Sequence, residues 1–316
     1  MVTCISLFLR CRLKKMLNFA ARNHCAMKKL LFLTIFMAVA AVSSFAQSMQ
    51  TARTAHSLFW RTDSLQVDEI VTGTENQYRK IGHHGPAVEN SHMALRIYFN
   101  DSGAIDVYSK SGRGMELLQY LWYPTAQEQA ELGVGCDEYR VGKTVGLGGI
   151  ALWDGEKEVK LVATKGRTAR VGDSKKGSYA EVIAYGVAYM GDMVDISIRI
   201  DVTSKSRIAV ITASELSGKK VQFLTGVNYH EGQQVSYGDD YISIWGIHPA
   251  DVSTAPIPLG SGMFYSSKTF PTIEKTADMV RVISKPASRV QTKVIAASTK
   301  EAELNTSRRF EAYMTK

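Results

Sequence analysis

Val194, Ile196, Ile198, Ile200 and Val202 alternate with Asp195, Ser197, Arg199 and Asp201, a strict period of two. An extended chain points successive side chains to opposite faces, so residues 194–202 are predicted as a strand with one buried and one wet face. The same pattern recurs at residues 93–99, 104–109, 148–153, 158–163, 179–189, 207–213, 221–229, 241–245, 279–284, 289–297 and 309–314. Turn formers stand between these runs, among them Asn100-Asp101-Ser102-Gly103, Trp153-Asp154-Gly155, Met190-Gly191-Asp192 and Ser217-Gly218-Lys219. About a dozen strands cannot share one open sheet without curling or stacking. The expected fold class is therefore all-β: a large antiparallel two-sheet sandwich, supersandwich-like, with one short helix. That helix is predicted at residues 125–132, behind Pro124, capped by Thr125 and stopped by Gly133.

Composition changes the picture at the amino terminus. The chain of 316 residues carries a formal charge of +8, but residues 1–46 hold seven of its basic residues and no Asp or Glu, leaving +1 for the rest. A nearly neutral body argues against general affinity for nucleic acid or anionic membranes, which takes a surplus of Lys and Arg. Met27-Lys28-Lys29, an apolar run from Leu30 to Val42 and the small-x-small site Ser44-Phe45-Ala46 read as a signal peptide over residues 27–46. The apolar run is shorter than the roughly 20 residues needed to span a bilayer. Residues 1–26 then read as a mis-assigned start, residues 1–46 as a removable leader, and residues 47–316 as a single β-sandwich domain in the periplasm, with no stable membrane anchor. Of four cysteines only Cys136 lies beyond the leader, which excludes an internal disulfide and CxxC zinc sites in the body.

Three polar groups are candidates for chemistry. In the first, residues 82–92, His83, His84, Glu89 and His92 fall just before the strand predicted at residues 93–99. Imidazole moves protons near neutral pH and a carboxylate orients it, so His83, His84 and Glu89 are catalytic candidates. The same four could serve as N/O ligands, but their spacing matches no zinc motif, and no metal site is expected. In the second, Asn228-Tyr229-His230-Glu231 ends a strand, with His230 a further acid/base candidate and Glu231 and Tyr237 candidates for substrate binding. The third groups Asp137, Glu138, Tyr139, Arg140 and Lys143: Arg140 and Lys143, like Arg96, could neutralise a substrate carboxylate, Tyr139 could donate or take a proton, and Asp137 is a further candidate for substrate binding. Gly142-Lys143-Thr144 is not a phosphate loop, since Asp137 stands where that motif needs glycine. Gly146, Gly148 and Gly149 are assigned to a tight turn or bulge. Trp122, Tyr123, Tyr237, Tyr241 and Trp245 could stack on sugar rings, although aromatics at strand ends more often belong to a core. His56 and His248 are assigned structural roles, and Cys136 an inert one.

Gly85-Pro86-Ala87-Val88-Glu89-Asn90, the strand pair 94–100 and 104–108, and Asp137-x-x-x-Val141-Gly142-Lys143-Thr144-Val145-Gly146-Leu147-Gly148 together resemble a family of secreted domains of unknown function. That family is encoded near polysaccharide-degrading enzymes in Bacteroidetes. The resemblance spans roughly residues 75–316 and implies carbohydrate work, often on uronic-acid-rich polysaccharides, on a sandwich like that of galactose mutarotases. Two departures are visible: Val134-Gly135-Cys136-Asp137 where members carry Trp-Gly-x-Asp, and no His beside Tyr123-Pro124.

Together these features predict an exported carbohydrate-active protein whose partner is an oligosaccharide. The favoured reaction is acid/base chemistry on a uronate, of lyase or epimerase type, with a two-carboxylate hydrolase on Glu89 and Glu231 as the enzymatic alternative. A non-catalytic carbohydrate-binding protein is the rival from another class, and the departures favour it. Nothing in the sequence specifies a cofactor.

Overall fold

The computed structural model describes residues 54–250 and 256–316. The chain divides into two units, Met1–Thr51 and Ala52–Lys316, so the expected leader lies outside the described residues. Among the described residues the strands form three sheets, all of whose named strand pairs are antiparallel. One five-stranded sheet runs β1 (Thr54–Ser57), β3 (Ala87–Asn90), β4 (Met93–Ile97), β5 (Ile105–Ser109), β6 (Cys136–Asp137). A second runs β17 (Thr272–Lys275), β18 (Met279–Ile283), β13 (Phe223–Asn228), β7 (Ala151–Trp153), β8 (Glu158–Val159). The nine-stranded sheet runs β14 (Gln234–Tyr237), β15 (Tyr241–Gly246), β16 (Leu259–Phe264), β19 (Arg289–Ser298), β12 (Ala209–Glu215), β11 (Asp192–Thr203), β10 (Gly177–Tyr189), β9 (Ala163–Ser174), β2 (Glu69–Thr72).

The two smaller sheets make one layer. Leu147 donates its N–H to Ile105 O of β5, Gly148 donates to Gly226 O of β13, and Leu147 bridges Val227, so residues 145–148 stitch β5 to β13. This close approach is why glycine is required: Gly146 and Gly148 both have φ +71, and a Cβ on Gly146 would stand 2.1 Å from Ile105 O. Strands β3, β4 and β5 then pack on β10, β11 and β19, and β13 packs on β15 and β16. The shared core includes Val88, Leu95, Val107, Ile196, Ile198, Ile211, Val227 and Val294, all at most 1% exposed. The result is the expected antiparallel sandwich, with one of its two layers built from two stitched sheets.

The two described α-helices divide the sequence reading. Helix α1 (Ala126–Leu132) starts at a capping box in which Thr125 and Glu128 satisfy each other's backbone N–H, and it ends at left-handed Gly133, as the Thr-x-x-Glu pattern requires. Residues 309–314, expected as a strand, lie instead in helix α2 (Ser307–Met314). Six residues hold too few turns to separate the two periods, and here the buried pair is Phe310 and Met314, spaced by one helical turn. Gly260 and Gly262 of β16 clear room for it, since a Cβ on Gly260 would lie 2.6 Å from the Phe310 ring. No helix among the described residues is long and apolar enough to cross a membrane.

Candidate functional site

Arg96 lies on β4 directly opposite Asp106 on β5, an opposed charge pair across an antiparallel ladder. Its guanidinium is 1% exposed, so its donors must be met by protein groups. Nε donates to Asp106 Oδ2 at 2.9 Å, Nη2 to Asp106 and to Asp137 Oδ2 at 2.7 Å, and Nη1 to His83 O at 2.9 Å and Tyr123 OH at 2.7 Å. Tyr98 OH donates to the same Asp106 Oδ2 at 2.8 Å. The Trp122 ring lies 4.4 Å below the guanidinium carbon, with Tyr98 and Tyr123 at 5.1 and 5.4 Å. Two carboxylates and three aromatic faces hold the charge in place, and its pKa is raised despite burial.

Above Arg96 opens a cavity of about 570 Å³, within the usual range for small-ligand sites. Its walls come from the turns at Tyr78–Lys80 and Gly82–His84, from Arg61, Tyr98 and Tyr123, from the 137–142 segment after β6, and from Pro249, Ala250 and Pro256. Arg61, Arg79 and Arg140 reach it as exposed side chains, and no carboxylate among the described residues pairs with them. Glu138 also lines it, but it is 5% exposed, bonded to Ser109 Oγ and 3.4 Å from Lys300 Nζ, and burial raises its pKa. The uncompensated charge of the cavity is therefore positive.

His84 forms one wall. Its ring stacks on Tyr78 with centroids 4.4 Å apart, and Nδ1 lies 3.2 Å from Tyr123 OH. The direction of that bond follows the His84 tautomer: with the imidazole proton on Nε2, the Tyr123 O–H donates to Nδ1. Burial and the nearby charges of Arg96, Arg61 and Arg79 hold the His84 pKa down at about 4, so the ring is neutral at pH 7. Burial pushes the Tyr123 phenol up to about 12. In that tautomer Arg96, Tyr123 and His84 form a donor-to-acceptor chain ending on an imidazole lone pair.

Arg140 is fixed through its backbone. Its N–H donates to His248 Nδ1 at 3.2 Å, and its carbonyl accepts from Asn228 Nδ2 at 2.8 Å and His230 Nε2 at 2.9 Å. His248 is 1% exposed, and burial with the neighbouring His230 lowers its pKa to about 3. His230 therefore serves as a clamp on the wall rather than a group facing the cavity.

The remaining sequence candidates separate cleanly. His84, Arg96, Asp137, Tyr139 and Arg140 gather at the cavity. His83 sits behind it, 4% exposed, with Nε2 2.9 Å from Ser57 Oγ and a pKa lowered to about 3 by burial and the charges of Arg96 and His84. Glu89 is fully buried away from the cavity: it pairs with Lys110 Nζ at 2.8 Å and accepts the N–H groups of Glu116 and Leu117 at 2.7 and 2.9 Å. Its carboxylate is spent on the fold, which removes it from proton transfer. Lys143, Glu231 and Tyr237 are exposed and line no part of the cavity, Tyr237 lying on β14 at the edge of the large sheet. His83, His84, Glu89 and His92 do not converge as metal ligands, and no group of three or more His, Cys, Asp or Glu among the described residues does. Cys136 is buried, and burial raises its thiol to about 11. Arg61, Tyr78, Arg79 and Tyr98 were absent from the sequence candidates, and Tyr123 entered them only as an aromatic.

The fold and the site define a class: a large antiparallel β-sandwich carrying an arginine- and tyrosine-lined cavity whose wall at residues 137–142 leads into the stitch of one layer. Residues 34–316 match the profile of the Domain of unknown function (DUF4861), and the chain belongs to that family. No curated protein matches the sequence. Among solved structures, the chain is similar to the 4-alpha-glucanotransferase of Thermococcus litoralis at 10% identity and a TM-score of 0.34, covering 73% of this chain and 42% of that one. A candidate aldose 1-epimerase from Klebsiella pneumoniae subsp. pneumoniae aligns at 8% identity and a TM-score of 0.35, covering 83% and 94%. The chain thus spans less than half the length of the first.

Proposed function

We propose that this protein is exported to the periplasm, binds the uronate unit of an acidic oligosaccharide in the cavity, and removes the proton on the carbon beside the sugar carboxylate. The observation that carries this reading is the chain Arg96, Tyr123, His84 at the wall of a cavity with three further arginines that have no carboxylate partner among the described residues. Arg61, Arg79 and Arg140 neutralise the sugar carboxylate, lowering the cost of charge that develops when the adjacent C–H bond breaks. Tyr123 O takes that proton as its own passes to His84 Nδ1. In a lyase the electron pair left on C5 forms the C4–C5 double bond and expels the bridging oxygen. Tyr123 protonates that oxygen and recovers its proton from His84, so both residues end as they began. An epimerase instead needs a second acid to deliver a proton to the opposite face of the carbon, so the Tyr123–His84 pair favours the lyase. The bound carboxylate also offsets the arginine charges that hold the His84 pKa down, which eases protonation of the ring during turnover.

The hydrolase alternative loses support, because Glu89 is locked to Lys110 and Glu231 lies off the cavity, whereas two carboxylates must flank the scissile bond within about 5–10 Å. The binding-protein reading draws on the two carboxylates already bound to Arg96 and on the raised Tyr123 pKa. The test is incubation of residues 47–316 with acidic oligosaccharides, followed at the ultraviolet absorbance of a new C4–C5 double bond and by mass. Tyr123→Phe is expected to cut turnover at least about 100-fold. Retained turnover in that variant would remove Tyr123 from the mechanism. Tight binding without any product would leave the cavity as a receptor site, and no binding of any uronate would overturn the reading.

A further inference from the structure

A second cavity, of about 260 Å³, adjoins the first and shares Arg61, His84 and Tyr123 with it. Phe59, Ile81 and Trp122 in its lining are buried, whereas Arg61, Ser64, Leu121 and Tyr123 are exposed and are the groups a ligand can touch. Among the described residues five non-glycine residues have left-handed backbone, and four of them, Ser64, His83, His84 and Leu121, line this cavity. Such conformations are costly and cluster where the surrounding structure holds a functional shape. Leu121 is 42% exposed, so a strained backbone here presents an apolar side chain to solvent.

One residue sets the charge of this cavity. Its lining contains no carboxylate, and with His83 and His84 neutral at pH 7 the charge comes from Arg61. The Arg61 N–H donates to Lys80 O at 2.9 Å, which roots the side chain where the two cavities meet, and the guanidinium has no carboxylate partner among the described residues. Asp63, the nearest acid in sequence, is turned to the N–H of Leu65 at 2.9 Å and lines neither cavity. Arg79 and Arg140, by contrast, line the first cavity and not the second. Positive charge therefore continues past the His84–Tyr123 pair instead of ending at it. A guanidinium beside an exposed leucine matches a uronate, whose ring offers a C–H face to the leucine and a carboxylate to the arginine.

We infer that the second cavity is a subsite for a second uronate, its carboxylate on Arg61 and a C–H face on Leu121, so that the substrate is a run of at least two consecutive acidic sugars. The inference rests on the uronate reading of the first cavity. It leaves Arg79 and Arg140 to the first carboxylate and sets Arg61 between the two. The bond between the sugars then lies at the His84–Tyr123 boundary, where the phenol that would protonate the bridging oxygen stands. A neutral sugar in the same place would cover Leu121 but gain nothing from Arg61, so the specificity is for contiguous uronates over a mixed acidic–neutral linkage.

The experiment is calorimetric titration with free galacturonate, with digalacturonate and with a disaccharide that carries a neutral hexose on C4 of galacturonate. It is run on Tyr123→Phe, which holds the disaccharides uncleaved, and on the same protein with Arg61→Gln or Arg79→Gln added; free galacturonate, which has no bond to break, is also titrated on wild type. Digalacturonate is expected to bind about tenfold tighter than the mixed disaccharide at low salt, with the difference shrinking as salt is added. Arg61→Gln is expected to bring that ratio down to about one, whereas Arg79→Gln should weaken all three sugars and keep the ratio. Equal affinity for the two disaccharides, or a ratio that Arg61→Gln leaves in place, would overturn the subsite and leave the uronate cavity standing. Failure of all three sugars to bind, with galacturonate failing on wild type as well, would overturn the uronate reading itself, and the subsite with it.

Discussion

The sheet that contains β3, β4 and β5 carries two buried ionic clusters, and they are built to opposite ends. Around Glu89 every group is consumed: Lys110 Nζ donates to the carboxylate, to Asn90 O at 2.9 Å and to Gly114 O, while the backbone of Glu116 and Leu117 fills the other oxygen. Around Arg96 the innermost contacts are equally complete, but the next shell of Tyr123, His84, Arg61, Arg79 and Arg140 faces an open cavity. The first cluster fixes the chain from β3 through residue 117 in one conformation. The second turns a similar buried anchor outward, presenting Arg61, Arg79 and Arg140 to the cavity with no carboxylate partner among the described residues. Burial and charge alone therefore do not mark a site, and what matters is whether the hydrogen-bond inventory closes.

The contrast can be broken most forcefully at the closed cluster. Lys110→Met leaves the Glu89 carboxylate buried without its cation, and the expected loss is about 3–5 kcal/mol of stability in urea unfolding, since breaking one side of a buried pair strands the other. A midpoint within experimental scatter of wild type would mean that the cluster is wet and the contrast with the cavity is false.

Acid sharpens the comparison next. His83 behind the cavity and His248 in its wall are held near pKa 3, below the unfolded value of about 6.5. The unfolded chain takes up their protons first, so their neutral forms support folding fully above about pH 6.5 and progressively less as pH falls toward 3. Each contributes a slope on the order of 1.4 kcal/mol per pH unit across that window. Unfolding midpoints measured from pH 7 to pH 4 should decline once pH falls below about 6.5, and a plateau down to pH 5 would contradict the buried neutral rings.

The smallest expected effect is at the open cluster. Arg79→Ala should leave the unfolding midpoint within about 0.5 kcal/mol, as for exposed positions in general. It should weaken galacturonate binding by about fivefold at low salt, with the difference shrinking as salt is added. A variant that lost stability but kept affinity would assign Arg79 to the fold and reverse its role.

The strands legible in the sequence include runs with one wet face, such as residues 194–202 within β11, and also the fully buried β4, β5 and β13, whose apolar residues recur between clear turn formers. Those that escaped are short or lack alternation: β3 is buried at all four positions, and β16 carries Gly260 and Gly262 to admit α2. The site divides in the same way. His84 and residues 137–140 sit in dense polar runs and were visible, whereas Arg61, Tyr78, Arg79 and Tyr98 are scattered through connections and meet only after folding. Glu89 shows the limit from the other side. In sequence it has the same company as His84, and only Lys110, 21 positions further on, reveals that its charge is already spoken for.

The stitch at residues 145–148 has a consequence for how this site can change over evolutionary time. The wall that carries Arg140 runs straight into it, and the Arg140 backbone is gripped by side chains from two other connections. An inserted or deleted residue between positions 140 and 145 would slip the stitch and part the two sheets it joins. The exposed side chain of Arg140, by contrast, is held by none of these bonds. The side chain that this wall presents is therefore open to revision by substitution, while the wall itself is closed to revision by length.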